Sequence, residues 1–176
     1  ELKDQGKVRY FGVSNFTPIL LQMLQAGLGD EHFVANQVEL SLMKTSLFDS
    51  NIVERDDNPA VGYHQDGTLE YHRIQGLVTQ AWAPLAYGYL SGREYDRTDP
   101  RILDIARRVE VLREKYGVPA LAVVVAFLLR HPACIQPIIG TRDPERLKEC
   151  HQALKVNMSR EDWYELYTAS RNVKLP

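Results

Sequence analysis

Four short segments of this sequence carry side chains of the kind that hold a ligand. They are Ser14-Asn15, Gln37, Trp82 with Ala83-Pro84-Leu85, and Gly140-Thr141-Arg142. Ser, Asn and Gln offer hydroxyl and amide donors and acceptors. Trp82 places a large aromatic side chain at the end of a strand. Gly140-Thr141-Arg142 stands directly before Asp143-Pro144, the signature of a capped helix start. Amide N–H groups and the helix dipole favour phosphate at such a point. Arg142, with Arg146 one turn on, can clamp a phosphate by charge-assisted hydrogen bonds or simply form a solvated helix face. Singly these signals are weak, since Ser-Asn commonly makes a turn and a Trp at a strand end is commonly core. Their order, each at the end of a successive strand, carries the information.

The elements that must position them alternate strand and helix. Lys7–Val13 reads as a strand, and Thr17-Pro18 caps a helix with Leu20, Leu21, Leu24 and Leu28 at helical spacing, stopped by Gly27 and Gly29. Phe33–Leu40 is a second strand and Leu77–Trp82 a third. Asp99-Pro100 caps a helix in which Ile102, Ala106, Val109 and Leu112 share a face, ending at Tyr116-Gly117. Pro119 opens a further helix that runs to Arg130, and Ile135–Ile139 is a fourth strand. Ser159-Arg160-Glu161-Asp162 resembles a capping box for a last helix with Trp163, Leu166 and Tyr167. Apolar strands alternating with helices specify an α/β fold with a parallel sheet. A small doubly wound sheet and part of a (β/α)8 barrel both fit this pattern.

At 176 residues, 44% hydrophobic and 25% charged, the chain has the size and composition of one globular domain spanning 1–176. Residues 49–67 form an irregular insertion rich in Asp, Asn, Gly and Pro, either a solvated loop or a lid over a site. Asp56-Asp57-Asn58 within it lacks the alternating ligands and glycine of a calcium loop, so no metal site is expected. A net charge of −2 with mixed signs gives no reason to expect nucleic acid or an anionic membrane as partner. The apolar run 120–129 is too short to span a bilayer, and no signal peptide is evident. Cys134 and Cys150 have no metal or redox spacing, which suits reduced thiols and a cytoplasmic location. Glu1–Gln5 reads as the end of an exposed helix, as if the segment began inside a larger unit.

In these segments the chain resembles the aldo-keto reductase family over almost its whole length. The stretch 6–16, ending Gly12-Val13-Ser14-Asn15-Phe16, looks like the fifth strand of that barrel, and Asn36-Gln37-Val38-Glu39-Leu40 like the sixth. Ala81-Trp82-Ala83-Pro84-Leu85 with Gly88 and Leu90-Ser91-Gly92 resembles the seventh, and the stretch from Pro137 to Leu147 the eighth with its helix. The region at Trp163 to Leu166 and the closing Leu175-Pro176 look similar to a bacterial YdhF-like branch. The resemblance implies the C-terminal half, strands five to eight, of a (β/α)8 TIM barrel. It implies a nicotinamide cofactor, NADP over NAD because of Arg142 and Arg146, and a small carbonyl substrate. Ser14, Asn15 and Gln37 would hold the carboxamide and Trp82 would stack on the ring. Ala83, standing where many relatives have Ser, would contribute backbone, and Pro84 and Leu85 would approach the pyrophosphate. Gly140, Thr141, Arg142 and Arg146 would hold the adenosine phosphates, with Glu149 and Cys150 near adenine.

The family's Asp, Tyr, Lys and His tetrad comes from the first half of the barrel, and no strand of this chain matches those segments. Tyr63, Tyr87 and Tyr89 lie in loops on the expected face without a Lys and Asp to tune them. His131-Pro132 reads as a helix terminator at the opposite face. Two readings stand: an NADP-dependent reductase of aldehydes or ketones represented by its cofactor-binding half, and a non-catalytic nucleotide-binding or interaction module. Either leaves an open sheet, so the chain is expected to pair with the missing half-barrel or with a second copy, or to belong to a longer polypeptide.

Overall fold

The computed structural model describes residues 1–49, 67–90 and 99–171. Nearly all of the insertion, Tyr63, Ser91-Gly92 and Leu175-Pro176 therefore lie outside the described residues. The strands are β1 (Phe11–Ser14), β2 (Phe33–Glu39), β3 (Val78–Trp82) and β4 (Gln136–Pro137). The helices are α1 (Pro18–Gly27), α2 (Thr68–Gln75), α3 (Pro100–Tyr116), α4 (Ala120–Leu129), α5 (Pro144–His151) and α6 (Arg160–Arg171). The four strands pair in sequential order, every pair parallel. That is the βα repeat that a barrel is made from, with β1 and β4 as its two edges.

Local chemistry explains most boundaries. Leu20 N donates to Thr17 Oγ1, Arg101 N to Asp99 Oδ1, and Glu145 N to Asp143 Oδ1, and proline opens each of those helices. Two strands are shorter than the sequence suggests. The segment 7–10 makes no ladder, because the residues before it form a helical turn closed by Gly6 at φ +67°. In β4, Pro137 has no N–H to donate, which suits it to an edge and curtails the ladder. Between β1 and β2 the register slips after Phe11, and a Cβ on Gly12 would sit 3.2 Å from the Ala35 carbonyl oxygen. Glycine is what that close approach tolerates.

The core lies on one face of the sheet. Strand alternation sends Val38, Leu40, Ala81 and Ile135 into it, and α4, apolar on every side, is buried from Leu121 to Leu128. Phe127 stacks on Trp163 at 5.2 Å, and Trp163 Nε1 donates to the Phe127 carbonyl at 2.9 Å. The other face carries Ala35, Gln37, Glu39, Val78, Gln80 and Trp82, none of them fully buried. Helix α1 is likewise only half employed. The sequence sets Leu20, Leu21, Leu24 and Leu28 inward, yet only Leu21 is buried, while Ile19 and Met23 are 70% and 68% exposed. The physical reason is position: α1 follows an edge strand and finds a neighbour on one side alone.

At the junction of α3 and α6, Ser159 Oγ accepts from Asp162 N at 3.1 Å, as the capping box requires. The Asp162 carboxylate instead takes the Lys115 ammonium at 2.8 Å and the Tyr116 hydroxyl. Burial alone would raise the Asp162 pKa, but hydrogen bonds from Lys115, Tyr116 and Ser159 outweigh it and hold it below the ordinary carboxylate value. A depressed folded-state value gives stability that is present above the unfolded value and is lost as pH falls through the folded one. Asp162→Asn is therefore expected to lower stability at neutral pH and to flatten its loss below about pH 4. Urea midpoints of both proteins across that range measure the effect; parallel curves would sink it.

Candidate functional site

The C-terminal ends of β1, β2 and β3 converge into one hydrogen-bonded patch. Ser14 Oγ donates to the Gln37 carbonyl at 3.0 Å, and Asn15 N donates to the same oxygen at 2.9 Å. Trp82 Nε1 donates to Asn15 Oδ1 at 3.0 Å, which ties the end of β3 to that of β1. Gln37 Nε2 donates to Gln80 Oε1 at 3.2 Å. The four residues expected to act together are thus linked, Ser14 and Asn15 to the Gln37 carbonyl and Trp82 to the Asn15 side chain. Their remaining capacity is defined among the described residues. Asn15 Nδ2 keeps its donors, while Gln37 Oε1 and the Ser14 hydroxyl lone pairs remain as acceptors.

Backbone strain gathers at the same place. Asn15 has φ +60°, Ala83 +51°, Ala86 +50° and Tyr87 +54°, all in the left-handed region that non-glycine residues rarely adopt. Such conformations persist where surrounding structure over-determines them, commonly at ligand-holding sites. Around Ala83, Pro84 is buried and Leu85 packs against the core, fixing the turn between them. Tyr87 donates to Glu39 Oε1 at 3.2 Å across the rim.

The Gly140-Thr141-Arg142 segment follows β4 and precedes α5. Thr141 Oγ1 accepts from Asp143 N at 3.2 Å, and Asp143 Oδ1 occupies the Glu145 N–H, so one first-turn amide is already taken. Arg142 is exposed and Arg146 half-buried, with Glu149 half-buried further along the helix. Cys150 differs from expectation. Its side chain is only 4% exposed and belongs to the core, and burial, reinforced by the charge of Glu149, raises its thiol pKa. A residue drawn inward by α5 packing does not present its thiol to a ligand at the surface.

Among the described residues, shifted titration is found at Tyr87, Tyr116, Asp162 and His131. Partial desolvation, with the charge and hydrogen bond of Glu39, raises the Tyr87 pKa, against the direction an acid catalyst needs. A Tyr, Asp and Lys do meet at Tyr116, Asp162 and Lys115, but this group pins α3 to α6, far along the chain from any strand end. Burial and Asp162 raise the Tyr116 pKa as well. His131, five residues before β4, stacks on Phe48 at 4.4 Å and accepts from Ala133 N at 3.2 Å. Burial, then Arg73, lower its pKa to about 4, the behaviour of a neutral packing residue. A cleft of about 240 Å³ beside it, lined by Arg130, Arg160, Trp163 and Tyr164, lies at the start of β4 rather than at the patch.

Sequence reasoning missed three participants: Asn36, Gln80 and Gln136. Asn36 is fully buried and belongs to the helix-covered face, where its Nδ2 donates to the Phe16 carbonyl at 2.8 Å and meets His72 Nε2 at 3.0 Å. Period-two alternation separates Asn36 from its neighbour Gln37, and the same parity puts Gln80 on the face of Gln37 and Trp82. Among the described residues no group of His, Cys, Asp and Glu could hold a metal, and no helix is long and apolar enough to cross a membrane.

Comparison with known proteins agrees with this geometry. The chain is 36% identical over 167 residues to a 6-dehydroglucose reductase of Agrobacterium fabrum, covering 95% of this chain and 48% of that protein. It is 30% identical to the oxidoreductase YdhF of Escherichia coli, covering 99% of this chain and 51% of that one. The fold superposes on the thermostable aldo-keto reductase Tm1743, solved with the inhibitor epalrestat, with a TM-score of 0.69 at 24% identity, over 96% of this chain and 51% of that one. The chain thus spans about half the length of the curated relatives it matches. The sequence model of the Aldo/keto reductase family matches residues 1–170. With its parallel sheet in the order of half a barrel, the chain belongs to the aldo/keto reductase family of oxidoreductases.

Proposed function

We propose that this chain is the cofactor-binding half of an NADP-dependent reductase of aldehydes or ketones. The observation that carries the reading is the free hydrogen-bonding capacity of the patch. A nicotinamide carboxamide presents one acceptor and an NH2 group with two donors. Asn15 Nδ2 complements the acceptor, and Gln37 Oε1 and Ser14 Oγ complement the donors. Trp82, held by its hydrogen bond to Asn15, would stack on one ring face and leave the other open. When bound, the cofactor supplies the hydride; the residues of this chain bind and orient it. The strained turn Ala83-Pro84-Leu85 brings backbone towards the pyrophosphate. Gly140, Thr141, Arg142 and Arg146 serve the adenosine phosphates, with Glu149 near adenine.

NADP is favoured over NAD by Arg142 and Arg146, two cations within one turn of the α5 start. Arg142→Ala is expected to weaken NADPH about ten- to a hundredfold while leaving NADH nearly unchanged, the loss of one charge-assisted contact to a 2′-phosphate. Trp82 fluorescence titrations with each nucleotide measure this. Equal losses for both nucleotides would show that Arg142 serves a shared part of the cofactor.

The open edges of β1 and β4, the part-exposed inner face and the apolar surface of α1 support a partner that completes the barrel. Among the described residues, no Asp, Tyr, Lys and His gather at the strand ends, which favours catalysis residing in that partner. The same observation supports the second reading, a nucleotide-binding module without chemistry. The cytoplasm suits both, because both need a reducing nucleotide pool.

A further inference from the structure

Gln37, Gln80 and Gln136 stand side by side on adjacent strands, since Gln37 pairs with Gln80 and Gln80 with Gln136 in the parallel register. Strand alternation places them on the inner face of the half-barrel. Their side chains form a directed ladder: Gln37 Nε2 donates to Gln80 Oε1 at 3.2 Å, and Gln80 Nε2 donates to Gln136 Oε1 at 2.8 Å. An isolated glutamine amide rotates readily, and its two ends offer opposite chemistry. In the ladder each amide fixes the next, so reversing Gln37 requires reversing its neighbour as well.

We infer that Gln80, backed by Gln136, is a positioning residue that holds the Gln37 amide with its oxygen facing the nicotinamide carboxamide. The inference rests on the cofactor reading above and adds a cause for the acceptor that reading needs. A carboxamide NH2 can only donate, so it binds one orientation of Gln37 and clashes with the other. Gln80 accepts the Gln37 N–H and thereby selects the productive orientation before the cofactor arrives. Gln80 touches no part of the cofactor; it acts through Gln37.

The test uses this chain joined to an N-terminal half-barrel, carrying Gln80→Leu, Gln80→Glu or Gln136→Leu. NADPH and adenosine 2′,5′-bisphosphate, which lacks nicotinamide, are titrated by calorimetry. Gln80→Leu is expected to weaken NADPH about three- to tenfold, the worth of one net hydrogen bond, and to leave the bisphosphate unchanged. Gln80→Glu still accepts from Gln37 Nε2 and is expected to restore NADPH affinity. Gln136→Leu, at the exposed end of the ladder, should show a smaller loss in the same sense and remains informative if Gln80→Leu folds poorly. In the ligand-free protein, the Gln37 side-chain amide resonances should shift in Gln80→Leu. Equal losses for both ligands, no loss for either, or unmoved Gln37 resonances would overturn the ladder's role. Failure of the unsubstituted chain, joined to an N-terminal half-barrel, to bind NADPH would overturn the cofactor reading itself, whereas wild-type binding with an unaffected Gln80→Leu would overturn the ladder alone.

Discussion

Combining this chain with an N-terminal half-barrel that carries the family's Asp, Tyr, Lys and His is expected to produce NADPH-dependent carbonyl reduction, and the chain alone is expected to show none. The N-terminal half of one of its relatives, the part this chain does not cover, is a suitable partner. The structural drive is plain. Strand edges at β1 and β4 present unpaired backbone groups, and α1 presents Ile19, Leu20, Met23 and Leu24 to water. Completing an eight-stranded barrel removes both edges and buries the inner face. A second substitution then separates binding from chemistry. Replacing the partner's tetrad Tyr with Phe should reduce turnover by about 10²- to 10⁴-fold, the usual worth of a positioned proton donor, with NADPH affinity little changed. Turnover is followed by loss of NADPH absorbance with a panel of aldehydes and ketones. An assembled barrel that binds NADPH yet turns nothing over would favour the non-catalytic reading. Monodisperse monomer in sedimentation, with cooperative melting of the chain alone, would sink the need for a partner of either kind.

What the sequence disclosed and what it hid follow one division. Helix starts were legible because a cap is local: Thr17-Pro18, Asp99-Pro100 and Asp143-Pro144 each open the helix they signal. The parallel order of strands followed from the βα rhythm, and hydrogen bonds among Ser14, Asn15, Gln37 and Trp82 join the ends of the first three strands. Burial on α1 was not legible, because a leucine at helical spacing is inward only if something stands opposite it. Cys150 was placed by its position in a motif, but the α5 face that carries it turns into the core. Gln80 and Asn36 were missed for the reverse reason. Their roles depend on which strand neighbour lies beside them, and that register is set by tertiary pairing.

Asn36 leads to the largest expected loss of stability, His72→Ala. His72 is fully buried on α2, with Nε2 3.0 Å from Asn36 Nδ2 and Nδ1 2.8 Å from Thr79 Oγ1. Asn36 Nδ2 also donates to the Phe16 carbonyl, and Phe16 N donates to Asn36 Oδ1, which fixes the amide's orientation. The nitrogen facing His72 can then only donate, so Nε2 accepts and the ring proton sits on Nδ1, donated to Thr79. Removing the imidazole leaves polar groups on β2 and β3 without that partner and opens a cavity beneath the sheet. The expected cost is about 3–5 kcal/mol, a large part of a domain's net stability. Because Asn36 clamps the Phe16 backbone next to Asn15, NADPH affinity should fall in the same variant. Urea denaturation of His72→Ala, Thr79→Val and the double variant checks the network directly. Partners in one network give a double loss well below the sum of the single losses. Additive losses, or a His72→Ala cost under about 1 kcal/mol, would show that the network does not hold the strand ends in place.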